Sequence, residues 1–419
     1  MGHRTTLQRP VQALLAGAGF LALGCAIAAG AQAAGASADW PQWRGPDRNG
    51  ITDEPVWPAV WPAGGPKVLW RAQVGQGFSS VSVAAGRAYT MGWADGKDSV
   101  WCFDAADGRV LWQNSYPCAK GSYPGPRCTP TADSGAVYTT SREGLVISFG
   151  AADAKVRWSQ NLFKMVGGKA PSYGYACSPL IVSDRLILET GVPDASIIAL
   201  NKADGSLLWK SGTESCGYSS PVAYEVNGRP RVTALTGSAL LGLDPQDGRI
   251  VWRYPRKSSS PNAVPSPVVF GSRMFLSSGY GGGSALLEVG EGGIMVLWAS
   301  GDFQNLYSTS VHWGGYLYGF DGDRGRSGVL KCLDALTGKV EWAEKSLGKG
   351  QLIVAGGKLL ILSDEGELVV AEPSPAAFHP LARAKVLSGP CWTTPAVARG
   401  RVYVRSQAGE LVCLDVRGK

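Results

Sequence analysis

Histidine is scarce in this 419-residue chain: there are three, and only His312 and His379 lie beyond the N-terminal segment, far apart from each other. That excludes a histidine metal cluster. A Ser-His-Asp triad would have to use one of the two, and neither neighbourhood carries a nucleophile elbow. No Cys-x-x-Cys-His occurs, so no haem is attached covalently through that motif. Charged residues make up only 17% of the chain, and the formal net charge of +7 is not gathered into a basic run or stripe. Nucleic acid is therefore not the expected partner. After residue 30 no apolar stretch is long enough to span a bilayer. The 57 glycines follow no Gly-X-Y period, which excludes a collagen.

What is present is the texture of many short strands. Apolar residues, 45% of the chain, come in short runs broken by glycine and by 26 prolines, and 15 tryptophans stand among them. The N-terminal segment differs. Arg4 and Arg9 precede an apolar stretch from Val11 to Gly30, followed by Ala31-Gln32-Ala33. This reads as a signal peptide over residues 1–33, with an uncleaved anchor as the alternative. Cys25 after Ala22-Leu23-Gly24 only loosely matches a lipoprotein box, so cleavage after Ala33 ranks above lipidation. The expected location is exported and periplasmic, membrane-tethered if Cys25 is lipidated. Eight later cysteines form an even set in a chain expected to meet an oxidising compartment. Cys118 and Cys128 bracket one loop and are the candidate disulfide. Cys102, Cys332 and Cys413 hold an alternating strand position and read as buried thiols.

A repeat sets the fold. Trp70, Trp112, Trp158, Trp209, Trp252, Trp298 and Trp342 recur at spacings of 42, 46, 51, 43, 46 and 44 residues. Such spacings match a four-stranded propeller blade. Ser178-Pro179, Ser220-Pro221, Ser266-Pro267 and Thr394-Pro395 mark first strands. Asp107-Gly108, Asp204-Gly205, Asp247-Gly248 and Thr337-Gly338 mark the hairpin before the tryptophan strand. Eight units begin near Phe78, Cys128, Tyr175, Tyr218, Val264, Ser308, Gly350 and Trp392, but the last ends after three strands. Lys67 to Val74 has the outer-strand pattern with no strands before it. The expectation is an all-β, eight-bladed propeller of four-stranded blades over residues 67–419, its last blade closed by that N-terminal strand. Residues 34–66 form an arm expected to pack on the propeller through Trp40 and Trp43. In the seventh unit Gln351 to Glu372 supplies two strands and part of a third, and Leu387 stands where a tryptophan is expected.

Leu-Asp-x-x-x-Gly-x-x-x-Trp, at Leu243 to Trp252 and Leu333 to Trp342, resembles the repeat of the PQQ-like β-propellers. The resemblance covers nearly all of the chain beyond Lys67. That family includes quinoprotein alcohol dehydrogenases and the non-enzymatic BamB-type assembly lipoproteins, so it implies the fold more firmly than the activity. The dehydrogenase branch implies PQQ with calcium on the axis and adjacent, disulfide-linked cysteines over the quinone. No Cys-Cys pair occurs in this chain.

First-strand starts converge on the axial funnel of a propeller, and here they carry Phe78, Arg127, Tyr175, Tyr218, Tyr307 and Trp392. An aromatic collar with one arginine suits a sugar, a peptide or an aromatic cofactor. The same rings could instead wedge between blades as packing. Asp321-Gly322-Asp323 lacks the third carboxylate and the closing glutamate of a calcium loop. The glycines from Gly279 to Gly283 precede no helix and read as a hairpin. Taken together, the sequence favours a non-catalytic envelope binding or scaffold module, a monomer, with no cofactor and no metal. Its partners would be envelope proteins or a small ligand. A PQQ-dependent alcohol or sugar dehydrogenase is the alternative.

Overall fold

The computed structural model describes residues 1–2, 39–54, 61–62, 64–322 and 328–417. The chain divides into two compact units, residues 1–35 and 36–419. Of the first, only Met1 and Gly2 are described. The expected signal peptide and Cys25 thus lie outside the described residues, as do residues 34–38, 55–60 and 63 of the arm and Asp323 of the Asp-Gly-Asp loop. None of the described helices is long and apolar enough to cross a membrane.

The second unit is a ring of eight antiparallel sheets. Blade 1 runs outward from Ser82–Ala84 through Arg87–Ala94 and Lys97–Asp104 to Val110–Pro117. Blades 2 to 6 repeat the plan over residues 131–161, 180–211, 222–255, 268–300 and 311–344. Blade 8 takes its three inner strands from residues 396–415 and its outer strand from Lys67–Gln73, which pairs antiparallel with Glu410–Asp415. The ring is therefore closed by the N-terminal strand, and no blade is left with a missing partner.

Tryptophan holds neighbouring blades together, and the outer hairpins show how. Each outer strand carries a bulge that sets its tryptophan opposite a residue of the third strand: Trp112 faces Cys102, Trp342 faces Cys332 and Trp70 faces Cys413. The indole then leans over the hairpin of the next blade and donates Nε1–H to a carbonyl there. Trp70 reaches Ala105, Trp112 reaches Ala151, Trp158 reaches Lys202, Trp209 reaches Pro245, Trp298 reaches Ala335 and Trp342 reaches Ser374, all at 2.8–3.3 Å. The rings of Trp70, Trp158, Trp209 and Trp298 rest on the hairpin glycines Gly108, Gly205, Gly248 and Gly338, so the turn of one blade is a seat for the preceding tryptophan. Trp252 is the exception and bonds the Tyr224 hydroxyl of its own blade at 2.9 Å, because the blade 5 hairpin is a tight Gly290–Gly293 reversal without that turn.

Two sequence expectations are corrected here. Blade 7 is complete: Gln351–Ala355, Lys358–Leu362, Glu367–Glu372 and His379–Lys385 form its four strands, and Ile51–Thr52 of the arm adds a fifth, parallel to the innermost. The bulge register places Ala382 opposite Val370, so Ala382 and not Leu387 holds the tryptophan position. Leu387 lies past the strand end and is buried in the core cluster shared by blades 7 and 8. The Cys118–Cys128 disulfide is not formed; all eight cysteines among the described residues are free thiols. The Cys128 sulfur is turned into the core, where it accepts Thr140 N–H at 3.3 Å and donates to the Thr129 carbonyl, while Cys118 sits beside the buried Asp98. Cys102, Cys332 and Cys413 are fully buried beneath their tryptophans.

The tryptophan seat gives a controlled stability test. A Cβ at Gly248 would lie 2.5 Å from the Trp209 ring, whereas at Gly228, with a similar φ (+71° against +74°), it would meet nothing within 4 Å. Gly228→Ala should cost only the backbone strain of about 1–2 kcal/mol. Gly248→Ala should cost roughly 1–3 kcal/mol more from overpacking, measured by chemical denaturation. Equal losses would show that the seat is not tight.

Candidate functional site

At the axis, the residue preceding each first strand joins its blade to the next. Ser80 N–H donates to Thr129 Oγ1, Thr129 N–H to Ser178 Oγ, Ser178 N–H to Ser220 Oγ, Ser220 N–H to Ser266 Oγ and Ser266 N–H to Thr309 Oγ1, at 2.9–3.4 Å. Gln351 Nε2 donates to the Tyr307 carbonyl, Thr394 Oγ1 to Gln351 Oε1 and Ser80 Oγ to the Thr394 carbonyl, which completes the circle. The Ser-Pro repeat is the sequence trace of this ring. Serine supplies the inter-blade acceptor, and proline leaves no further amide to satisfy at the crowded centre.

One mouth of the channel is filled by the arm, whose residues 39–54 reach every blade. Trp40 bridges to Val83 of blade 1, and Pro41 accepts Ala132 N–H of blade 2. Arg48 donates to the carbonyls of Ser178, Pro179 and Pro221 in blades 3 and 4. Trp43 Nε1 bonds Ser266 Oγ of blade 5 at 3.2 Å, and Arg44 bonds the Thr309 and Ser310 carbonyls of blade 6. Ile51 pairs with Val354 of blade 7, and Glu54 takes the amides of Arg399 and Gly400 of blade 8. Arg44 and Arg48 are almost wholly buried, and their only partners are carbonyl oxygens and the Gln42 side chain. Burial pulls them down to about 9 and about 10, which leaves both charged at neutral pH.

Opposite the plug lies an open funnel of about 1170 Å³, its mouth included. Trp43 and the side chains of Ser178, Ser220, Ser266 and Thr309 line it together with Asn262; the wall also carries Phe78, Tyr123, Arg127, Tyr173, Tyr218, Tyr280, Tyr307 and Trp392. The rings form two groups. Trp392 lies near-parallel to Phe78 and Tyr307, with centroids 6.1 and 5.3 Å away, and this row is capped by Arg127 over Phe78 and Lys349 over Tyr307. Tyr123, Tyr173 and Tyr218 make a tilted trio, tied by Tyr218 Oη accepting Tyr173 N–H. Desolvation lowers Arg127 to about 10 and raises Tyr218 and Tyr307 to about 12, so at neutral pH the arginine is charged and the phenols are neutral donors.

Five of the six residues expected at the funnel therefore lie together on its wall: Phe78, Arg127, Tyr218, Tyr307 and Trp392. Tyr175 does not. It is buried between blades 2 and 3, its ring 5.9 Å from Phe163, because the point of blade 3 equivalent to Tyr218, two residues before the ring serine, is Ala176; Tyr173 supplies the ring that faces the funnel there. The sequence reading also missed Trp43, Tyr123, Tyr280 and the serine floor. Of these, only the Ser-Pro repeat left a visible signal. His312 is stacked on Phe270 at 3.8 Å and His379 is exposed on blade 7; neither lines the funnel.

The match to a family model described as outer membrane protein assembly factor BamB covers residues 96–344 and 326–419. The chain belongs to this family of PQQ-like propellers. No curated protein matches its sequence significantly. Among solved structures, BamB from Moraxella catarrhalis is 16% identical with a TM-score of 0.61, over 84% of this chain and 99% of that one. Quinohemoprotein alcohol dehydrogenase from Comamonas testosteroni is 14% identical with a TM-score of 0.70, over 92% and 82%. A europium-containing methanol dehydrogenase is 11% identical with a TM-score of 0.67, over 88% and 89%. At these identities the likeness is one of fold.

The lining does not fit a calcium-bound quinone. Calcium takes about six to eight oxygen ligands, usually with carboxylates among them, and among the described residues no Asp or Glu lines the funnel. Nor do the described residues elsewhere bring together three His, Cys, Asp or Glu that could hold a metal.

Glu189, behind the wall, ties the site to pH. Its Oε1 accepts Gly217 N–H at 2.7 Å, next to Tyr218, while burial and then neighbouring Glu214 lift it to about 8. Between roughly pH 4.5 and 8 the unfolded chain loses this proton and the native one keeps it, so the native state binds more protons and stability falls as pH rises. Glu189→Gln should flatten that part of the pH–stability curve and stabilise the protein above pH 8, read by thermal unfolding. An unchanged slope would show that Glu189 is already ionised in the fold.

Proposed function

We propose that this chain is a non-catalytic binding or scaffold module of the cell envelope, with the axial funnel as its recognition surface. The observation that carries the reading is the funnel's chemical inventory. It offers aromatic rings, hydroxyls, one amide and one guanidinium, and no histidine, thiol or carboxylate that could act as nucleophile, base or calcium ligand. Such a lining supplies stacking area and hydrogen bonds and leaves a ligand chemically unchanged. Membership in a family described as an outer membrane assembly factor supports the envelope setting, as does the export signal expected in residues 1–33.

The alternative, a PQQ-dependent alcohol or sugar dehydrogenase, draws on the fold shared with quinohemoprotein alcohol dehydrogenase. Turnover separates the two. Purified protein supplied with PQQ and calcium should show no dye-linked oxidation of alcohols or sugars. Calcium-dependent turnover that disappears in Trp392→Ala would overturn the binding reading.

A further inference from the structure

The funnel stands over buried positive charge. Arg48 donates to the backbone carbonyls of Ser178 and Pro221, and Arg44 donates to that of Thr309. Ser178, Thr309 and the neighbour of Pro221, Ser220, are floor residues, so both guanidinium groups lie directly beneath the cavity. Neither has a carboxylate partner. A desolvated cation neutralised only by carbonyl dipoles projects its field along a low-dielectric channel toward the open end. Arg127 on the wall adds to it.

The floor is polarised in the same sense. Ser178, Ser220, Ser266 and Thr309 each use a side-chain oxygen lone pair to accept a backbone N–H in the inter-blade ring. Each keeps its O–H to donate, and the four come from consecutive blades into one space. None of the buried acids Glu54, Asp98, Glu189 and Glu214 lines the funnel.

We infer that the funnel recognises a small organic anion, a carboxylate or comparable oxyanion carried on a flat body, with the charged end on the hydroxyl floor and the body between the rings. The inference rests on the funnel being the recognition surface. The oxyanion accepts from the floor hydroxyls and serves as the counter-charge that Arg44 and Arg48 lack among the described residues, with Arg127 as a further cation on the wall. The Phe78, Trp392 and Tyr307 row and the tyrosine trio hold the body. The described lining holds no carboxylate that would favour a cation in its place.

Three probes with one ring and different charge test this on the full-length chain: benzoate, neutral benzamide and cationic benzylammonium, followed by calorimetry and thermal unfolding in low-salt buffer. Benzoate should bind saturably and raise the unfolding midpoint, at least about tenfold more tightly than benzamide, and benzylammonium should not bind. Arg127→Gln should weaken benzoate by roughly tenfold and leave benzamide nearly unchanged. If that variant disturbs its loop, the three probes on the unaltered protein decide alone. Benzamide binding as tightly as benzoate, or benzylammonium binding more tightly, overturns the anion and leaves the funnel a recognition surface. Failure of benzoate to bind at tens of millimolar overturns it as well. Calcium-dependent turnover with PQQ is a separate failure, that of the non-catalytic reading.

Discussion

A hydroxyl oxygen that accepts an amide from the neighbouring blade, repeated around the axis, is the contact on which the rest of this propeller depends. Inner strands crowd together where eight blades meet, and each brings backbone groups that water cannot reach. From Ser80 through Thr309 a side chain one blade along satisfies them, and Gln351 and Thr394 close the remaining gap. Six indoles do the corresponding work at the circumference, bonding the hairpin of the next blade. At those six junctions blade spacing is set twice, once at the axis and once at the rim. The apolar clusters between blades fill a wedge whose angle these polar contacts define.

The inner ring also couples stability to recognition. Each floor hydroxyl accepts an amide from a neighbouring blade and keeps its O–H to donate, so the inter-blade ring leaves the floor with four donors. On the other side the arm solvates the remaining carbonyls with two arginines. The polarity of the site is therefore a by-product of how the ring is held and plugged.

Much of the fold was legible because its local devices are short and repeated. Seven tryptophans, the hairpin glycines and the missing fourth strand of the last unit were enough to give eight blades and the closing strand at Lys67–Gln73. Blade 7 was misread because its outer strand has Ala382 where bulk was sought, and only pairing with Val370 reveals the register. The site was legible in part. Phe78, Arg127, Tyr218, Tyr307 and Trp392 each stand two positions before the Ser or Thr of the inner ring; in blade 3 that point holds Ala176, so Tyr175 is one residue out of step, and Tyr173 reaches the funnel from an irregular segment outside the repeat. Trp43 and the carbonyl-bound arginines belong to no repeat, and their placement follows from contacts with blades more than a hundred residues away.

The closing strand orders events in time. Lys67–Gln73 is made before any complete blade, yet its partner Glu410–Asp415 follows all the other blades along the chain. Until that segment is available the ring has two open sheet edges, and the arm, which needs all eight blades, has no complete seat. Pairings of such sequence separation are reached slowly and leave strand edges exposed meanwhile. The strand at Lys67–Gln73 must wait, unpaired, until blade 8 has been made, and both the plug and the funnel it floors come into existence only when the circle is complete.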